Sequence, residues 1–150
     1  MNCYPMEMNI KRLTSTAVIP TRGSNFAAGY DLYADSAEPI FIAPHSTEKI
    51  STGIAVELPR GTFGGVFARS GLATKQGLRP SNCVGVVDSD YRGDVIVALH
   101  NDTDAIRTIS PYERIAQFIV IPYLTLELKE VEELTDTLRG EKGFGSTGSL

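Results

Sequence analysis

A chain of 150 residues, 42% of them hydrophobic and 21% charged, is long enough for one domain with a real core; a domain of this size buries roughly 70% of the surface its unfolded chain exposes. The formal net charge of -4 argues against a duplex-binding surface, which needs clustered Lys and Arg to displace counterions, but leaves a small anionic ligand open, because local donors can outvote the global sign. The two cysteines, Cys3 and Cys83, show neither zinc-site spacing nor a disulfide framework. The longest apolar run, Ile115 to Ile121, is interrupted by Gln117 and falls short of the roughly 20 residues a bilayer needs. Glu7 and Asn9 break up any signal-peptide core, so a soluble cytoplasmic protein is expected, with no membrane and no nucleic acid among its partners.

In chain order, Met8 to Leu13 reads as a weak edge strand and Thr21 to Asn25 as loop. Ala27 to Ala34 alternates: Tyr30, Leu32 and Ala34 share one face, and Asp31 lies on the other, pointing outward. Ile40-Phe41-Ile42 is a short strand that Pro44-His45 ends. Ile50, Thr52, Ile54, Val56 and Leu58 then keep period two, the cleanest strand signal in the chain. After the turn at Pro59-Arg60-Gly61 comes a strand from Phe63 to Phe67, and Ser70 as N-cap with Gly77 as stop predicts one short helix.

Gly85 to Asp94 reads as a hairpin whose loop carries chemistry, with β-branched runs feeding in and out. Val95, Val97 and Leu99 alternate on the way out, and Asn101 to Asp104 is a turn. Ile115 to Ile121 is a strand buried on both faces, ended by Pro122. Leu124, Leu126 and Leu128 favour a further strand to about Val131, with irregular chain beyond. Many short strands and little helical periodicity make the class all-β, a single-domain jelly-roll-like barrel over residues 1–138. Residues 139–150 hold four glycines and cannot bury a core, so they read as a flexible Gly-rich tail.

Several polar groups sit where a core would reject them. Arg69-Ser70-Gly71 opens the helix and is either an ordinary cap or a phosphate cradle of backbone N–H groups, hydroxyl and fixed charge. Gln117 inside an apolar strand needs a hydrogen-bond partner, since an unpaired buried amide costs about 1–3 kcal/mol. Asp88, Asp90 and Asp94 crowd one loop, as a solvated turn or as groups serving a metal or a water. The tail adds Arg139, Lys142, Ser146 and Thr147 as phosphate donors and Phe144 as a stacking ring. Its Gly143, Gly145 and Gly148 spell a dinucleotide fingerprint, but no helix can follow with two residues left. His45 and His100 lie in unrelated contexts.

Five stretches together resemble the ordered motifs of the trimeric dUTPases. They are 28–32 (AGYDL), 68–73 (ARSGLA), 85–93 (GVVDSDYRG), 113–117 (ERIAQ) and 139–148 (RGEKGFGSTG). The resemblance implies a β-clip fold and a homotrimer with shared active sites. It implies hydrolysis of dUTP to dUMP and diphosphate by Mg²⁺-assisted, in-line attack of water on the α-phosphorus. On these positions, Asp88 orients and deprotonates the water. Tyr91 packs under the deoxyribose, and Asn82 with the Gly85 backbone reads the uracil edge. Arg69, Ser70, Gly71 and Gln117 hold the phosphates, and Asp31 orders metal-bound waters. The tail becomes a lid, with Phe144 stacked on uracil, Arg139, Ser146 and Thr147 on the terminal phosphates, and Gly145 among the substrate-binding residues. Tyr112 and Lys142 depart from the family pattern, standing where glycine is common. A dCTP deaminase of the same superfamily would carry a glutamate on the strand after the third motif, and 95–99 (VIVAL) has no carboxylate.

Overall fold

The computed structural model describes residues 7–141 and 143. These form twelve strands and one helical turn: β1 (Asn9–Arg12), β2 (Thr21–Arg22), β3 (Tyr30–Tyr33), β4 (Ile40–Ile42), β5 (Thr47–Ser51), β6 (Ile54–Glu57), β7 (Thr62–Phe67), the turn Leu72–Gln76, then β8 (Leu78–Pro80), β9 (Gly85–Val87), β10 (Ile96–Asn101), β11 (Arg107–Ile109) and β12 (Arg114–Pro122). Every ladder is antiparallel. The order is β2-β3-β12-β7-β9 in the largest sheet and β5-β10-β8 in the second, with β1-β6 and β11-β4 as two-stranded pairs. One core draws on all the larger pieces: Leu32, Ile42, Ile50, Leu78, Leu99, Ile109, Ile115 and Phe118 are almost wholly excluded from solvent. The expected all-β, jelly-roll-like domain is therefore what forms.

The period-two run keeps its promise of burial but not of continuity. Ile50, Thr52, Ile54, Val56 and Leu58 all point inward, yet the chain breaks at Thr52-Gly53. β5 pairs with β10 before the break, and β6 pairs with β1 after it. Gly53 takes φ 64, a conformation costly to a side chain, and a Cβ there would also strike the Asp35 carboxylate. Thr52 crosses the gap by donating from its hydroxyl to the Val95 carbonyl at 2.6 Å.

Four expectations are corrected. Gly85 to Asp94 is not a hairpin: β9 pairs with β7 and β10 with β5 and β8, so residues 88–95 cross from one sheet to another. No strand forms over 124–131, where alternating leucines find no partner edge within the chain; Leu124, Leu126 and Leu128 stay exposed. Ser70 is not an N-cap: it already lies in the helical turn with Gly71, no side chain caps the turn, and Leu72–Gln76 is π-helical rather than α. Gly77, at φ 66, does stop it. Thr21–Arg22, expected as loop, is a two-residue edge strand beside β3.

β7 tolerates two successive glycines because aromatic rings occupy their missing side chains. A Cβ at Gly64 would collide with the Phe118 ring, and one at Gly65 with Phe67. Tyr112, standing where glycine is common, does adopt a left-handed φ of 56. The strain is held by Tyr112 N–H donating to the Ser36 carbonyl at 3.2 Å and Glu113 N–H donating to Ser110 at 3.1 Å.

Asn101, at the end of β10, is fully buried. Its amide donates to the carbonyls of Ile42, Ala43 and Ala105 at 3.0, 3.1 and 2.8 Å, while its Oδ1 accepts from the Thr103 backbone and hydroxyl. Asn101→Ala therefore orphans buried backbone carbonyls, and should lower the free energy of urea unfolding by roughly 2–4 kcal/mol.

Candidate functional site

Two clefts hold the polar residues singled out in the sequence. The first, of about 260 Å³, is lined by Gly29, Asp31, Arg69, Ser70, Gly71 and Gln117. β12 lies between β3 and β7 and places Gln117 opposite both Asp31 and Phe67. Gln117 Nε2 donates to the Ala68 carbonyl at 3.3 Å, the backbone partner its burial required. Asp31 is not directed to solvent as expected: its side chain is 13% exposed and lies between two guanidiniums. Arg69 Nε donates to Asp31 Oδ1 at 3.1 Å and Arg114 Nη1 to Oδ2 at 3.2 Å, while Arg69 Nη1 donates to the Arg114 carbonyl at 3.0 Å. One carboxylate thus orients two cations and leaves one positive charge in excess.

Part of the donor capacity facing this cleft is unspent. Arg69 Nη2 and the Ser70 hydroxyl make no hydrogen bond among the described residues. A Cβ at Gly71 would meet nothing within 4 Å, so its neighbourhood is open to a ligand. Such a cleft suits a polyanion: a planar fork, a hydroxyl and an amide converge on one space.

The second cleft, about 210 Å³, is lined by Val86, Asp88, Tyr91, Asp94 and Ile96 among others. Asp88 is exposed, and its carboxylate makes no hydrogen bond among the described residues, although its carbonyl accepts from Tyr91 N–H at 3.1 Å. Tyr91 is 44% exposed and donates from its hydroxyl to the Asp94 carbonyl at 3.0 Å. Asn82 lies against Gly85, where a Cβ would sit 3.4 Å from its amide nitrogen and 3.1 Å from Val66. A free carboxylate beside an aromatic face can take a proton from water next to a stacked ring or sugar.

Asp31, Arg69, Ser70, Gly71 and Gln117 therefore come together, and Asp88 and Tyr91 come together, whereas Asn82 and Gly85 touch each other and are not among the residues lining either cleft. Within one chain the two groups line separate cavities. Phe144, Gly145, Ser146, Thr147 and Lys142 lie outside the described residues. Arg114 was missed as a site residue; its place beside Gln117 in the fourth motif was the only signal. Among the described residues, no group of three or more His, Cys, Asp or Glu is placed to hold a metal ion, and no helix is long and apolar enough to cross a membrane.

Fold and clefts together define a small all-β domain with two arginines around Asp31 in one cleft and an exposed carboxylate, Asp88, in another. Residues 15–148 match the dUTPase family, and the chain belongs to it. A deoxyuridine 5'-triphosphate nucleotidohydrolase of Oryza sativa subsp. japonica is 43% identical over 141 residues, 94% of this chain and 80% of that protein. The Staphylococcus bacteriophage 80alpha dUTPase, solved with dUPNHPP, superposes with a TM-score of 0.88 at 31% identity, over 95% of this chain and 99% of that one. A variant dUTPase from phage phi11 of S. aureus, 27% identical with a TM-score of 0.76 over 85% of this chain and 98% of that one, coordinates a structural Mg(II) ion.

Asp31→Ala should leave Arg69 and Arg114 mutually repelling. The expected loss is roughly 1–2 kcal/mol of unfolding free energy, read by urea denaturation and larger at low salt.

Proposed function

We propose that this protein hydrolyses dUTP to dUMP and diphosphate, removing dUTP and supplying dUMP for thymidylate synthesis. The observation that carries the reading is the coexistence, in a member of this family, of unspent donors around Asp31 and an unencumbered Asp88 beside Tyr91. Asp88 accepts a proton from water as the water oxygen attacks the α-phosphorus. The Pα–O bond to the leaving diphosphate breaks opposite it, and the electron pair goes to the departing oxygen. A carboxylate is a weak base at neutral pH, so positioning and charge neutralisation carry most of the rate.

Arg69, Ser70 and Gly71 hold the phosphate chain and Gln117 its α-end. Tyr91 packs under the deoxyribose, where a 2′-hydroxyl would clash, and Asn82 with the backbone at Gly85 reads uracil. Donors on the base edge discriminate more strongly than an apolar pocket rejecting one added methyl.

The residues fit Mg²⁺ carried in by the triphosphate. Each Asp31 oxygen already accepts one guanidinium bond and keeps a lone pair for a metal-bound water, whereas direct coordination beside two cations is disfavoured. Bound there, Mg²⁺ would supply charge neutralisation on the phosphates.

The working unit is a homotrimer with sites shared between subunits. Two features support this: the phosphate and base groups line separate cavities in one chain, and Leu124, Leu126, Leu128, Leu134 and Leu138 leave an apolar row more than 70% exposed. Residues 139–150 form the lid, with Arg139, Phe144, Gly145, Ser146 and Thr147 closing on the nucleotide.

The deciding experiment offers dUTP, dCTP, dTTP and UTP with Mg²⁺ and identifies products. Diphosphate from dUTP alone is expected, and deamination of dCTP would overturn the assignment. Asp88→Asn should keep nucleotide binding and lose at least about 10²-fold in kcat, in the range expected of a positioned base. A chain cut before Arg139 should remain a folded oligomer with severely reduced turnover, measured by chromatography and diphosphate release. Full activity in the cut chain would sink the lid.

A further inference from the structure

The loop that carries Asp88 and Tyr91 is held from behind by a side chain with no part in the reaction just described. Arg92 Nη1 donates to the Ser89 carbonyl at 2.7 Å and to the Tyr91 carbonyl at 3.0 Å. Its Nη2 donates to Glu57 Oε1 at 3.3 Å, and Glu57 Oε2 accepts from Asn9 Nδ2 at 2.9 Å. Asn9 and Glu57 face each other in register across β1 and β6. The guanidinium lies on the far side of the loop, lining a separate cavity of about 310 Å³ with Asn9, Leu13 and Glu57.

A charged donor bridging two carbonyls fixes two peptide planes within one short loop, and such bonds are roughly twice as strong as neutral ones. The loop needs that support. It belongs to no ladder; its end is tied by Val95 N–H to Ile54 and by the Thr52 hydroxyl to the Val95 carbonyl, but among the described residues the stretch from Asp88 to Asp94 has only Tyr91 N–H to Asp88 and Tyr91 Oη to Asp94 besides the Arg92 bonds. The Arg92–Glu57 pair itself is half-exposed on both sides, at 50% and 53%, and contributes little as an ion pair. Its effect is to hold the guanidinium in one rotamer. The Asn9 hydrogen bond, followed by the Arg92 charge, holds the Glu57 carboxyl below its ordinary value of 4.5; as an ordinary carboxylate it is an acceptor at neutral pH in any case.

We propose that Arg92 is a positioning residue for Asp88 and Tyr91, and that Glu57 and Asn9, on the β6-β1 pair, hold its guanidinium on the loop carbonyls. The catalytic consequence rests on the dUTP reading; the clamp itself does not. A reacting group displaced by about 1 Å costs on the order of 10²-fold in rate.

The test takes the full-length protein and the variants Arg92→Ala, Arg92→Lys, Glu57→Ala and Glu57→Gln. It measures kcat and KM on dUTP with Mg²⁺, and amide hydrogen exchange at Tyr91 without nucleotide. Arg92→Ala should lower kcat about 10- to 100-fold while KM rises only a few-fold, and Tyr91 exchange should quicken about tenfold. Arg92→Lys should recover part of the loss. Glu57→Gln, which keeps an acceptor oxygen, should stay close to the parent while Glu57→Ala falls about 3- to 10-fold, a pair of results that survives if Arg92→Ala does not fold. Unchanged Tyr91 exchange in Arg92→Ala overturns the clamp. Faster exchange with unchanged kcat overturns the positioning role. A parent protein inert toward dUTP removes the substrate reading alone, because the exchange comparison still decides the clamp.

Discussion

The arrangement of Asp31 between Arg69 and Arg114 is the interaction on which the rest of the first cleft depends. It joins β3, the exit of β7 and the start of β12, three segments that approach one another only through folding. Removed from the pair, the carboxylate would leave two like charges close together. In place, it aims both and leaves a local excess of one positive charge. A chain of net charge -4 thereby presents a cationic pocket, since short-range geometry outweighs the screened global field.

The second cleft depends on a different constraint. Its loop begins at Val87 in one sheet and ends beside Ile96 in another, so its shape is set by how the sheets pack. Phe118 over Gly64 helps fix that packing, because the ring takes the space of an absent side chain in the strand beside β9. Packing thus reaches the chemistry through the backbone of residues 88–95.

Much of this was legible in the sequence where the signal is local. Period two placed Leu32, Ala34, Val95, Val97 and Leu99 inward, and Gly77 marked the end of the helical turn. Where a partner lies far along the chain, periodicity is silent. Asp31 read as outward because alternation says which face a residue occupies, not that guanidiniums from 38 and 83 residues away cover it. Gly85 to Asp94 read as a hairpin because neighbouring strands usually pair, whereas β9 finds its ladder with β7. Leu124, Leu126 and Leu128 carried a strand pattern without an edge to join. Most of the residues lining the two clefts lay within the motifs read from the sequence, but that Asp88 and Arg69 line different cavities of one chain was not legible there.

The break at Thr52-Gly53 has a consequence for what this chain can tolerate. One uninterrupted inward-facing series, from Ile50 to Leu58, serves β5 in one sheet and β6 in another. Losing or gaining a single residue between Ile50 and the break would invert the pleat of one strand relative to the other, at a left-handed joint already packed against Asp35 and Ala17. Length here is as constrained as composition: insertions belong in the outer loops, and this nine-residue stretch acts as a ruler shared by two sheets.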